Sequence, residues 1–145
     1  MTVTPNYLSQ RQFLVEASHD DIPGYWMQKS GGNSSADSNK IYGGGDKTPF
    51  IVTGITDVEN ITISRAYDSV RDGSMVDAIR PQIGSLVTSI TVTECTVDYE
   101  PIDGGSTVYS DCVLVGISEP EFESSSGDAA AIQLEFAVKS VAPGA

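Results

Sequence analysis

Basic residues are scarce in this chain: 8 Lys and Arg stand against 20 Asp and Glu, for a net charge of −12 over 145 residues. That balance opposes binding along a polyphosphate backbone and gives no support to a nucleic-acid reader. It suits a soluble surface, or one that lets a polyanion pass without sticking. Histidine and cysteine are nearly absent too. His19 alone, with Cys95 and Cys112, is too little for a zinc site of usual ligand spacing, so no metal and no cofactor is expected. No apolar run approaches the ~20 residues of a membrane span, and no basic segment leads into an apolar one near Met1. The expectation is a soluble protein made in the cytoplasm, with no membrane partner. The length suits a single domain with one core.

Groups for catalysis are equally thin. His19 lies in Ser18-His19-Asp20-Asp21, beside acids that would hold it charged instead of poised as a base. Asp20 with Asp21, and Glu119 with Glu121 and Glu123, are neighbours along the chain and do not converge across a cleft as glycosidic chemistry requires. No enzymatic activity is expected. Asp37-Ser38-Asn39 begins like a calcium loop, but Ile41 occupies a ligand position and no glutamate closes it. Gly43-Gly44-Gly45-Asp46-Lys47-Thr48 lacks the spacing and the following helix of a phosphate loop.

What the sequence does contain is alternation. Ile132, Leu134, Phe136 and Val138 interleave with Gln133, Glu135, Ala137 and Lys139, the period of a half-buried strand. Thr107 to Ser118 is β-branched and reads as another strand, stopped at Pro120. Leu86 to Glu100 precedes it, and Asp103-Gly104 is a favoured turn pair. Centring a hairpin there sets Val92 opposite Val115, Ile90 opposite Ile117, and Cys95 opposite Cys112. The cysteines then have two readings: a cross-strand disulfide, or two buried reduced thiols in a reducing compartment.

Further upstream, Gln10 to Ala17 suits a short strand, Asp20 to Gly24 a turn, and Tyr25 to Lys29 a second strand in which Trp26 anchors the core. Ser30 to Thr48 offers only Ala36, Ile41 and Tyr42 for burial and reads as a long loop, either an interaction arm or a plain flexible connection. Pro49 to Thr53 suits a short strand ended by Gly54, and Val58 to Tyr67 a longer one with Ile61, Ile63 and Arg65 on one face. Met75, Val76, Ile79 and Ile83 recur at helical spacing, Ser74 with Asp77 resembles a capping box, and Pro81 and Gly84 limit the helix. Arg65, Arg71 and Arg80 lie around this helix and read equally as inter-subunit ion-pair residues or as ordinary surface pairing. Residues 1–9 read as a flexible N-terminal arm, 10–139 as one β domain, and 140–145 as a C-terminal tail.

Three segments taken together resemble phage tail tube proteins, the subunits that stack as hexameric rings to make a hollow tail. They are Ile61-Thr62-Ile63-Ser64-Arg65-Ala66-Tyr67-Asp68 running into Arg71-Asp72-Gly73-Ser74-Met75-Val76 and Arg80-Pro81; Leu114-Val115-Gly116-Ile117-Ser118-Glu119-Pro120-Glu121-Phe122; and Ser124-Ser125-Ser126-Gly127-Asp128-Ala129-Ala130 leading into Gln133-Leu134-Glu135-Phe136. The resemblance covers Phe50 to Val138 and rests on the order of the segments more than on any one motif.

The resemblance implies a mainly β fold: an antiparallel β-sandwich or partly closed barrel with one short flanking α-helix and a long inter-subunit loop at 30–48. In that loop Asn39, Lys40, Ile41, Tyr42, Asp46 and Lys47 are the candidate contacts. Subunits would pool strands around a channel, which removes exposed sheet edges. Thr62, Ser64, Glu94, Thr96, Gln133 and Glu135 are the lumen-facing candidates. The channel would hold a tape measure protein and conduct double-stranded DNA without binding it. Tail terminator and baseplate or tip proteins are further implied partners, with a sheath protein if the tail is contractile. Location in the virion, after assembly in the host cytoplasm, follows from the same resemblance. A tube protein of a phage-derived contractile injection system and a phage decoration or adhesive β-module are the alternatives.

Overall fold

The computed structural model describes residues 7–45, 47–122, 124–125 and 127–144. Expectations for residues 1–6, Asp46, Glu123, Ser126 and Ala145 therefore lie outside the described residues. Strands follow as β1 (Phe13–Ala17), β2 (Tyr25–Trp26), β3 (Gln28–Gly31), β4 (Ser34–Ile41), β5 (Phe50–Val58) and β6 (Ile61–Ala66). The helix α1 (Arg71–Ile79) comes next, then β7 (Val87–Cys95), β8 (Pro101–Ser118), β9 (Ala131–Ala137) and β10 (Ser140–Pro143). Among the described residues no helix is long and apolar enough to cross a membrane.

The fold is mainly β and antiparallel with one short helix, as expected. An eight-stranded sheet runs β2-β1-β7-β8-β9-β6-β3 with β10 on β8, and β4 and β5 form a separate pair. The two ends of the main sheet are consecutive in the chain: β2 bonds to β1, then at Met27 the backbone turns to β6, donating to Ser64 O at 2.9 Å, and continues as β3. The sheet therefore curls round its core without fully closing. Ile61, Ile63, Ile132, Leu134, Phe136 and Leu114 fill the interior together with Trp26. Residues 140–143, expected as a tail, are a strand, and Gly144 N–H donates to Ser106 O at 2.8 Å.

The helix starts earlier than the expected capping box. Asp68 Oδ1 accepts Val70 N–H at 3.0 Å, while Asp68 N–H donates to Asp72 Oδ2 at 2.9 Å. Asp68 and Asp72 thus cap the first turn reciprocally, and Ser74 and Asp77 lie within a helix already under way. Met75, Val76 and Ile79 face the core, but Ile83 lies beyond the Arg80–Gln82 3₁₀ turn and is exposed.

The β7–β8 hairpin exists, but its register differs. The chain turns at Thr96–Glu100: Thr96 N–H donates to Glu100 O at 2.8 Å, its hydroxyl oxygen accepts Glu100 N–H at 3.2 Å, and Tyr99 takes a φ of +62°. Asp103 and Gly104 are absorbed into β8, with Gly104 at φ +74°. Ile90 then lies opposite Tyr109, Thr88 opposite Cys112, and Cys95 opposite Pro101. The facing-cysteine arrangement is therefore corrected: both thiols are free and buried. Burial pushes the Cys112 thiol up to about 11. A local turn pair lost here to a longer-range gain, because the observed register buries Tyr109, Cys112 and Leu114 on one face and leaves the far half of β8 to pair with β9.

Candidate assembly interface

The long loop expected over 30–48 is largely a strand. Ser34–Ile41 pairs with Phe50–Val58 as a hairpin arm that continues the β3–β6 ribbon in the same register, from Gly31 opposite Ile61 to Ser34 opposite Val58. Gly54, expected to end a strand, sits inside β5, where Gly54 and Ile55 oppose the single residue Asp37 as a β-bulge. The neck is built on glycine. Gly31 and Gly32 take φ +79° and +78°, and a Cβ on Gly31 would lie 2.2 Å from Asn60 O. Across it, Glu59 N–H donates to Asn33 O at 3.0 Å and Asn33 Nδ2 to Glu59 Oε1 at 2.6 Å.

Among the described residues nothing covers this arm. Every residue of β4 is exposed, as is every residue of β5 but Val58. Ile41, Phe50 and Val52 share one face with Asn39; Ile51 lies on the other with Lys40 opposite it, and the bulge returns Ile55 to the first face, opposite Asp37. Ile55 is 93% exposed and Phe50 69%. A two-stranded hairpin is marginal in water on its own. Of the candidate contacts, Asn39, Lys40 and Ile41 are on β4, Tyr42 and Lys47 lie in the connection to β5, and Asp46 is outside the described residues.

The lumen candidates divide. Thr62 faces Glu135 and Ser64 faces Gln133 across β6 and β9, and β3 adds Ser30 and Gln28 beside them. This is one polar strip on the reverse of the buried face. Ser64 is nonetheless buried, its hydroxyl donating to Gln28 Oε1 at 3.0 Å, and Asn60 Nδ2 donates to Glu135 Oε2 at 3.0 Å. Glu94 and Thr96 do not join them: Glu94 lies opposite Phe13 on β7, across β8 from the strip, and Thr96 closes the β7–β8 turn. The strip borders an open cleft of about 900 Å³ between Gln10–Leu14 and Gln28–Ser30, where β1 and β3 approach without bonding to one another. Sequence reasoning missed this seam, since it depends on the partner switch at Met27.

The three arginines are committed within the chain. Arg65 turns inward, 3% exposed: its guanidinium donates to Asp72 Oδ1 at 2.5 Å and to Pro23 O at 2.5 Å, and stacks 4.1 Å from the centroid of the Trp26 ring. This is a correction to its expected place at the surface. Burial lowers the Arg65 pKa against the opposing pull of Asp72. Burial also disfavours the Asp72 carboxylate, but hydrogen bonds from Arg71 and Asp68 N–H, together with Arg65, outweigh it and hold Asp72 below its ordinary value. Arg71 joins Asp72 at 3.2 Å, and Arg80 pairs with Glu119. Asp72, unremarked in the sequence, is thus the hub that fixes the helix to β6. His19 is a turn residue whose Nδ1 accepts Asp21 N–H at 3.1 Å. No cluster that could hold a metal occurs among the described residues.

No family model matches the chain, and no curated protein matches it in sequence. Its fold is similar to that of chains in three solved assemblies. A chain of the anti-feeding prophage baseplate, a cryo-EM structure symmetrised 6-fold, aligns with a TM-score of 0.77 at 12% identity over 97% of each chain. A chain of the PVC sheath/tube terminator, from an extracellular contractile injection system in its extended state, aligns with a TM-score of 0.76 at 19% identity, covering 99% of this chain and 100% of that one. One from the PVC sheath-tube complex gives 0.71 at 19% identity, covering 96% and 92%. At these identities the likeness is one of fold.

Proposed function

We propose that this chain is the repeating structural subunit of a phage tail tube, self-assembling into hexameric rings that stack around a channel. The observation that carries this reading is the arm: a strand pair with exposed apolar residues on both faces and no cover from the described residues of its own chain. A second copy is the natural cover, since a subunit that repeats its own contact head to tail closes a ring or extends a filament. The seam between β1 and β3 offers a further open edge for pairing between copies. The strip of Thr62, Gln133 and Glu135, with Ser64 buried among them against Gln28, is the proposed channel wall. It is neutral or acidic, as is the chain as a whole, so DNA would pass without the counterion release that drives binding to basic surfaces. In this reading the channel holds a tape measure protein before ejection, and terminator and baseplate proteins cap the ends.

The likeness of fold to chains of contractile injection systems favours a second reading, a tube or tube-terminating protein of such a machine, with a sheath outside it. Both readings make the protein structural and neither makes it an enzyme. Electron microscopy of the purified chain tests what they share. Six-fold rings or tubes are expected, and a single subunit that stays dispersed at every concentration overturns both. Co-assembly with a sheath protein separates the second from the first.

A further inference from the structure

The arm and an acidic cleft lie at opposite ends of the same strands. The arm leaves the barrel at Gly31 and Ile61, where Ile61 faces Phe136 near the end of β9. The cleft, about 620 Å³, lies at the other end, where Ala66 faces Ala131 and β9 begins. Its lining includes Glu119, Glu121, Phe122 and Ala129–Ala131. Phe122 is 80% exposed there, and Glu121 is exposed with no ion pair among the described residues. From Ser118 to Asp128 the sequence has four acids and no Lys or Arg.

The tip of the arm has the opposite character. Between Asn39 and Phe50 it carries Lys40 and Lys47 against Asp46 alone, in a chain of net charge −12. Neither lysine forms an ion pair among the described residues. Beside them Ile41, Tyr42 and Phe50 are exposed.

Resting on the tube reading above, we infer that the arm tip of one copy seats in this cleft of the next copy along the stack. Lys40 and Lys47 meet the acids around Glu121, and Tyr42 and Phe50 pack on Phe122 and the Ala129–Ala131 wall. Register keeps the two surfaces apart within a chain, and head-to-tail stacking brings them together. Charge selects this cleft over the seam, where Arg11 and Lys29 would repel the tip. The acidic β7–β8 turn, with Asp98 and Glu100, is a poorer receptor because β8 carries it to the end away from the cleft, the end towards which the arm leaves.

Disulfide trapping tests the contact. Copies bearing Tyr42→Cys are mixed with copies bearing Phe122→Cys, assembled and oxidised; the native thiols are buried and stay silent. A cross-linked dimer formed only in the mixture is expected, with no dimer when Asp98→Cys replaces Phe122→Cys. Glu121→Lys should slow tube growth by about tenfold, and adding Lys40→Glu should recover part of that loss. Tubes that form normally yet trap no Tyr42–Phe122 dimer, or trap one with Asp98, overturn this docking while leaving the tube reading intact. A chain that forms no rings or tubes overturns both.

Discussion

Two strand pairs adjoin in this molecule, β5 running on into β6, and differ in what lies over them. In β6 and β9, Ile61 faces Phe136 and Ile63 faces Leu134, all fully buried. In β4 and β5, Ile41 faces Phe50 and Lys40 faces Ile51, all exposed. Both pairs have their backbone bonds, so hydrogen bonding does not set them apart. Burial does: covering one large apolar side chain contributes ~1.5–3 kcal/mol, while a net backbone hydrogen bond contributes ~0.5–1.5. The curled sheet is held by its own packing, and in the proposed reading the arm acquires its stability from a neighbouring copy.

The strongest way to break that contrast is to remove one side of it. Replacing residues 34–58 with a short Gly-Ser turn should abolish assembly in electron micrographs while the barrel still melts cooperatively. Asp72→Ala attacks the other side. It leaves Arg65 charged and buried without its partner, and should cost about 3–5 kcal/mol in urea unfolding. Acid should act in the same place. Because Asp72 is held below its ordinary pKa, its contribution is present above the unfolded-state value of ~3.9 and is lost as pH falls through the lower folded one. Asp72→Asn should flatten that part of the acid-unfolding profile.

Matched truncations sharpen the comparison. Leu134→Ala in the core should cost ~2–5 kcal/mol, whereas Ile55→Ala on the arm should leave the dilute subunit within about 0.5 kcal/mol and weaken assembly instead. Gly31→Ala at the neck joins both regions: a side chain there meets Asn60 O at φ +79°, so a loss of ~1–3 kcal/mol and impaired assembly are expected together. Arg80→Ala should be the mildest, at most ~1 kcal/mol by thermal melting, since its pair with Glu119 is solvent-exposed.

Legibility in the sequence followed the same divide. Ile132, Leu134 and Phe136 alternate because one face of β9 is buried, so their strand was readable with its correct inward set. Ser34 to Asn39 left no such trace, because a strand exposed on both faces has no reason to alternate; only pairing with β5 makes it one. The β7–β8 register was misread for another physical reason. Asp103-Gly104 is a good local turn, but Thr96 and Tyr99 make a competing one, and the choice falls to packing across the whole barrel. Of the site, Lys40 to Tyr42 were expected to lie free for contact and are exposed in the subunit. Arg65 was placed on one face with Ile61 and Ile63 yet expected at the surface, because an arginine gives no sign in sequence of a buried partner. Its partner Asp72, seven residues on and across an element boundary, carried no periodic signal.

Amide hydrogen exchange, read segment by segment in the dilute subunit and in assembled particles, tests the account most directly. Residues 34–58 should exchange freely in the subunit and become protected on assembly, while β6 and β9 stay protected in both. An arm already as protected as β9 in the dilute subunit, or one left unprotected within assembled tubes, would contradict it.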